Sequence, residues 1–163
     1  MLRNASADDV DVIADLTVQA YLDGGHMPPG SAYIATLRDV KPRLEQTVVL
    51  EMDNVIVASI AALPHGHAMA EATQPGEWEF RYLAVSHDRW GSGLGRQLVS
   101  AVEGRARRAG AESMVLRVVD HNPRAMRLYE HLGYQNLADR DVAFESSSFP
   151  GQMIRLLLYA KKL

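Results

Sequence analysis

A β-patterned stretch, Glu77–Val85, runs through Ser86-His87-Asp88-Arg89-Trp90 into Gly91-Ser92-Gly93-Leu94-Gly95-Arg96, at the head of a long helical pattern. Three glycines in five residues at a strand-to-helix junction constrain this chain more than any other feature. Glycine lets a backbone turn with positive φ and approach a ligand closely. The first N–H groups of a helix lack a partner inside it, and the macrodipole adds positive potential there. Together they make an anion site suited to a phosphate or pyrophosphate. A glycine turn used only to reverse the chain fits the same pattern, so the loop alone does not decide.

Two familiar phosphate motifs do not fit. A P-loop ends in Gly-Lys-Ser/Thr, whereas here Gly95 is followed by Arg96-Gln97. A dinucleotide fingerprint needs G-x-G-x-x-G directly after its strand and an acid about 20 residues on. This loop is G-x-G-x-G, it follows a longer connection, and Asp120 lies farther along.

Elsewhere the chain punctuates itself clearly. Ser6 and Asp9 form an N-terminal cap pattern for a first helix over residues 7–22. A loop through Met27-Pro28-Pro29-Gly30 and a weaker helical pattern at Tyr33, Ile34 and Leu37 follow. The β-branched runs 47–52 and 55–63 flank Asp53-Asn54, a two-residue hairpin signal. Residues 64–76 read as a polar loop. Beyond the glycine loop, Leu94, Leu98, Ala101, Val102 and Ala106 share a helix face that Gly110 closes. A strand is expected at 113–119. Asn122-Pro123 reads as cap and first position of another helix, with Ala125, Leu128, Tyr129 and Leu132 as its stripe and Gly133 after it. Strands are expected at 134–137, 142–144 and 153–160. This order predicts one mixed α/β domain over residues 1–163, with a βαβ crossover.

Composition narrows the chemistry. No cysteine is present among the 163 residues, which removes disulfides, thiolate metal sites and cysteine nucleophiles. The formal charge of −3 gives no reason to expect a nucleic acid or an anionic membrane as partner. The longest mainly apolar run, 55–63, is about half of the ~20 residues a membrane helix needs. The opening residues lack a signal-peptide core, so a cytoplasmic location is expected. His65-Gly66-His67 spaces two imidazoles for a metal, but no third ligand accompanies them at regular spacing, and no metal is expected. Arg105, Arg107 and Arg108 read as a solvated helix end that offsets the dipole.

The motifs taken in order do resemble one family. Leu83-Ala84-Val85, then Gly91-Ser92-Gly93-Leu94-Gly95-Arg96-Gln97-Leu98, then Asn122-Pro123-x-x-Met126-x-Leu128-Tyr129-x-x-Leu132-Gly133-Tyr134 is similar to the GNAT (GCN5-related) N-acetyltransferases. The likeness is sharpest over residues 77–135, and Leu2-Arg3-Asn4-Ala5-Ser6-x-x-Asp9 resembles the family's N-terminal arm. It implies a mostly antiparallel, splayed central sheet flanked by helices. It also implies that acetyl-CoA lays its pantetheine arm in the gap between strands 77–85 and 113–119, against the backbone of Leu83, Ala84 and Val85. The pyrophosphate would meet the amides of Gly91, Ser92, Gly93, Leu94, Gly95 and Arg96, Asn122 would lie near the arm, and Tyr129 beside the sulfur. One departure stands out: Trp90 occupies the position where the family usually has glutamine or arginine.

The implied reaction is direct attack of an amine on the thioester, with a small molecule expected as acceptor. A strand amide near Val85 could polarise the carbonyl. Tyr129 would protonate or hydrogen-bond the leaving sulfur. Glu79 is the candidate base: period-two alternation puts Glu79, Arg81 and Leu83 on one face, and burial raises a carboxyl pKa. Each residue has a plainer reading too, with Tyr129 in the core, Asn122 as a cap and Glu79 ion-paired to Arg81. An acyl-CoA-binding sensor without turnover is the rival from another class. A homodimer is possible.

Overall fold

The computed structural model describes residues 1–25 and 27–163. His26, just before the Met27-Pro28-Pro29-Gly30 loop, lies outside the described residues. The element order is β1 (Leu2–Asn4), α1 (Val10–Asp23), α2 (Tyr33–Arg38), β2 (Thr47–Met52), β3 (Val55–Pro64), β4 (Glu77–Val85), α3 (Leu94–Arg108), β5 (Ser113–Val119), α4 (Pro123–His131), β6 (Gln135–Asn136), β7 (Val142–Glu145) and β8 (Met153–Lys162). The strands form one sheet in the order β1-β2-β3-β4-β5-β8-β6, with β7 also on β8. Every pairing is antiparallel except β4 with β5.

Local chemistry explains most of these elements. Asp53 and Asn54 both take positive φ, 51° and 61°, as a tight hairpin turn whose twist matches its strands requires. The Asn122 side chain accepts the Ala125 N–H at 3.2 Å, and Pro123 opens α4. Asp9 returns its carboxylate to the Ser6 N–H at 2.7 Å, but this box caps a 3₁₀ turn, Ala7–Asp9, and the α-helix starts only at Val10. Strand β1, unexpected from three residues, pairs Arg3 with Val49 while the Arg3 guanidinium grips Asp9 and Glu51. The expected strand at 134–137 shrinks to two residues because Tyr134 turns inward, its hydroxyl donating to Glu103 at 2.8 Å.

The decisive irregularity lies in β4. Ser59 pairs with Ala84 and Ala61 with Arg81, so Tyr82 and Leu83 together oppose Ile60. Tyr82 occupies the bulge with φ 58°. The bulge turns the alternation over. Trp78 and Phe80 pack with α3 and α4, and after the bulge so do Leu83 and Val85, while Tyr82 joins Val18 and Leu37 beneath α1 and α2. The expectation that Glu79, Arg81 and Leu83 share one face is therefore corrected: Leu83 faces the other way.

Candidate functional site at the split between β4 and β5

The parallel ladder of β4 and β5 consists of Glu77↔Ser113, Trp78↔Met114 and Glu79↔Val115, and then it stops. Both strands continue, β4 bound to β3 and β5 to β8 along its whole length. Beyond Glu79 the facing edges of β4 and β5 thus leave backbone groups open to a ligand lying between them. Leu83, Ala84 and Val85 lie on β4 beyond the last rung with β5, and Ala84 and Val85 pair with Ser59 and Ala58 of β3 on the other side.

The glycine loop stands at the end of this split. Gly91 and Gly93 take φ 80° and 85°, and Gly93 caps α3 from the left-handed region. The first helical bond runs from the Gln97 N–H to the Gly93 carbonyl at 3.1 Å. The amides of Leu94, Gly95 and Arg96 precede it and have no helical acceptor. Gly95 serves a different end: a Cβ there would lie 3.4 Å from Leu128 Cδ2, so its smallness brings α3 and α4 together. Ser92 ties the loop to the Arg89 carbonyl. Trp90 donates its indole N–H to the Val85 carbonyl at 2.9 Å, and Arg124, from α4 across the split, lies 4.0 Å over the indole ring.

Tyr129 reaches the split from α4 and is 7% exposed. Its ring meets Phe80 edge-on at 5.5 Å and Tyr134 at 6.3 Å. Burial pushes its phenol well above the ordinary value of 10, so it stays protonated. Asn122 sits at the β5 end of the split as the cap of α4.

The opposite face of the split carries polar groups that sequence periodicity did not assemble. Tyr21 and Tyr33, from α1 and α2, hold their rings 6.3 Å apart. Burial raises the Tyr21 phenol, with the Tyr33 and Tyr129 phenols adding to the shift. Arg81 donates to the Tyr33 hydroxyl at 3.3 Å and to the Met69 carbonyl at 2.6 Å, and pairs with Glu71 at 3.1 Å. Arg43, 1% exposed, donates to the Thr36, Leu37 and Asp39 carbonyls and lies 3.9 Å over the Tyr82 ring, holding α2 against β4. Burial holds its pKa below the usual arginine range and pushes the Tyr82 phenol up to about 12. A hydroxyl-rich helix face was the available signal for Tyr21 and Tyr33; nothing local marks their convergence.

Glu79 is 1% exposed. Its Oε2 accepts the Glu71 and Ala72 N–H groups at 2.8 and 3.1 Å, and its Oε1 lies 3.9 Å from Arg81 Nε. Burial raises its carboxyl pKa, and the two amides work against that rise. Nearby Glu77 is held by Arg140 at 2.8 and 2.9 Å, which pins the other end of the β3–β4 loop. His65 and His67 serve that loop: His65 Nδ1 lies 3.0 Å from Thr73 Oγ1, and His67 accepts the Met69 N–H. Among the described residues no cluster of three metal-ligating side chains is present. No helix of the described residues is long and apolar enough to cross a membrane.

The profile of the acetyltransferase (GNAT) family matches residues 11–134. The chain belongs to that family. No curated protein matches the sequence. Several solved structures share the GNAT fold. One is the ribosomal-protein-alanine N-acetyltransferase of Brucella melitensis, with 18% identity, TM-score 0.73, and coverage of 100% of this chain and 99% of that one. Another is Salmonella typhimurium yncA, solved with its cofactor acetyl-CoA, with 21% identity, TM-score 0.72, and coverage of 100% and 93%. A third is the ribosomal-protein-S18-alanine N-acetyltransferase of Escherichia coli, with 17% identity, TM-score 0.70, and coverage of 99% and 92%. At these identities the likeness establishes the fold, and as a GNAT chain the protein is an acetyltransferase.

Proposed function

We propose that this acetyltransferase takes its acetyl group from acetyl-CoA and transfers it directly to a primary amine of a small molecule. The observation that carries the reading is the pairing of an open β4–β5 split with Tyr129, a buried phenol that makes no hydrogen bond to any described residue. The acetyl-CoA present in the yncA structure supports the choice of donor. The backbone edge at Leu83, Ala84 and Val85 suits the amide-bearing pantetheine arm. The amides from Gly91 to Arg96 suit the pyrophosphate. Asn122 flanks the arm from the β5 side.

The donor supplies an acetyl thioester, and the chain's own groups do the rest. A β4 amide near Val85 polarises the carbonyl and stabilises the oxyanion as the amine nitrogen attacks the carbonyl carbon. The carbon–sulfur bond breaks, and Tyr129, kept protonated by burial, gives its proton to the departing sulfur. Solvent then reprotonates the phenolate, and the amine's own proton leaves to water on the open face. Glu79, expected as the base, is read here as a positioning residue. One of its oxygens is committed to two loop amides and the other faces Arg81, so it shapes the acceptor side by holding residues 71 and 72.

A panel of primary amines incubated with acetyl-CoA, with release of free thiol followed, tests the reading. Amine-dependent thiol release is expected. Tight acetyl-CoA binding without turnover of any amine would instead establish the sensor reading.

A further inference from the structure

Arg117 stands on β5 two residues past its last rung with β4. It pairs with Leu158, which shares a face with Val115 and Ala72. Val115 in turn pairs with Glu79, so Arg117 projects on the same side of the sheet as Glu79 and Arg81. It sits where the split opens, across from Arg81, on the side opposite the glycine loop and α3. The two arginines differ in one respect. Arg81 has Glu71 at 3.1 Å and Tyr33 at 3.3 Å, whereas Arg117 has no carboxylate within ion-pair distance and no hydrogen bond among the described residues. Its Nε is sealed from water without a partner.

That Nε–H loses water and gains nothing, which costs free energy, while the two terminal nitrogens of this half-buried side chain make no hydrogen bond among the described residues and stay open to solvent. The neighbouring acids cannot supply the missing partner. Glu71 is on Arg81, Glu79 holds two loop amides, and Asp141 is engaged by the Leu158 and Asn136 donors. An anion arriving from outside would pair with the open terminal nitrogens, and a planar carboxylate matches the arginine fork best.

We infer that Arg117 is a specificity-determining residue for the acceptor, and that the acceptor is an amine carrying a carboxylate, of the amino-acid class. The inference rests on the amine-acetylating reading above and adds the chemical class of the acceptor. The carboxylate takes the open guanidinium of Arg117, and the amine is then held on the acceptor face of the split, near the phenols of Tyr21, Tyr33 and Tyr129.

The test compares L-amino acids with their own α-amides as acceptors, by thiol release from acetyl-CoA, in the wild type and in R117Q, R117K and R155Q. At least one amino acid should exceed its amide in kcat/KM by about tenfold or more, since loss of a bidentate partner leaves the site's donor unpaired. R117Q should remove that preference through the KM of the acid, with acetyl-CoA affinity and melting temperature retained. R117K should restore part of it. R155Q, which changes an exposed arginine on β8, should leave the preference intact. Amides accepted as well as acids by the wild type, or a preference that persists in R117Q, would overturn the inference while leaving amine acetylation standing. Acetylation of another primary amine but of no amino acid and no amide would overturn this inference alone; no thiol release with any amine of the wider panel would overturn the acetylation reading as well.

Discussion

The indole N–H of Trp90 donates to the main-chain carbonyl of Val85 at 2.9 Å, tying the glycine loop to the end of β4. The same ring carries Arg124 on its face at 4.0 Å and His87 against it at 4.3 Å. The tryptophan that departs from the usual family residue thus joins both walls of the split. Trp90→Phe keeps an aromatic face but loses the hydrogen bond and should cost about 0.5–1.5 kcal/mol in a denaturant titration. Trp90→Arg should cost more, because it also sets a second guanidinium against Arg124.

The loop glycines should respond differently to substitution. At Gly93, φ 85° strains any β-branched residue although the space around its Cβ is open. Gly93→Val should therefore weaken CoA binding more than tenfold, read by calorimetry, by turning the amides ahead of α3 out of line. Gly95→Val meets Leu128 instead, and should lower the melting temperature by forcing α3 from α4.

Much of this architecture is legible in the sequence wherever one residue carries the local reason. Asp53-Asn54, Asn122-Pro123 and the glycines after β4 each announce their conformation by chemistry that acts within a few residues. The bulge at Tyr82 does not. Tyrosine has no preference for φ 58°, and the conformation is imposed by two strands pairing out of step. Simple alternation therefore put Leu83 on the wrong face. The proposed donor side rests on contiguous motifs, so its residues can be named from the sequence. The proposed acceptor side draws Tyr21, Tyr33, Arg81 and Arg117 from four separate elements, which no local pattern links.

Tyr129 makes ring contacts with Phe80 and Tyr134, and its hydroxyl has no hydrogen bond among the described residues. Tyr129→Phe should accordingly leave the melting temperature and acetyl-CoA affinity close to wild type. If the phenol serves the leaving sulfur, kcat should fall by about 10²–10⁴, with little change in KM for the donor. A variant with normal turnover would assign protonation of the thiolate to solvent.

Glu79 can be divided between clamp and base by two variants. Glu79→Ala strands the Glu71 and Ala72 amides and should cost about 1–3 kcal/mol. Glu79→Gln keeps an acceptor oxygen for them and should retain most of the stability and most of kcat; a collapse of kcat at unchanged stability would make Glu79 the base. The pH dependence has a definite sign. Burial holds the native carboxyl above its ordinary 4.5, so the folded state binds the proton more readily than the unfolded chain. The wild type's advantage over Glu79→Gln should then be largest below about pH 4.5 and shrink as pH rises through the native value.

Amide hydrogen exchange with and without CoA probes the donor site most directly. Slowed exchange at Leu83, Ala84 and Val85 and at the amides from Gly91 to Arg96, with the exposed hairpin of β7 and β8 unchanged, is the predicted result. Protection confined to other segments, or none at CoA concentrations that saturate a calorimetric titration, would contradict the placement of the donor in the β4–β5 split.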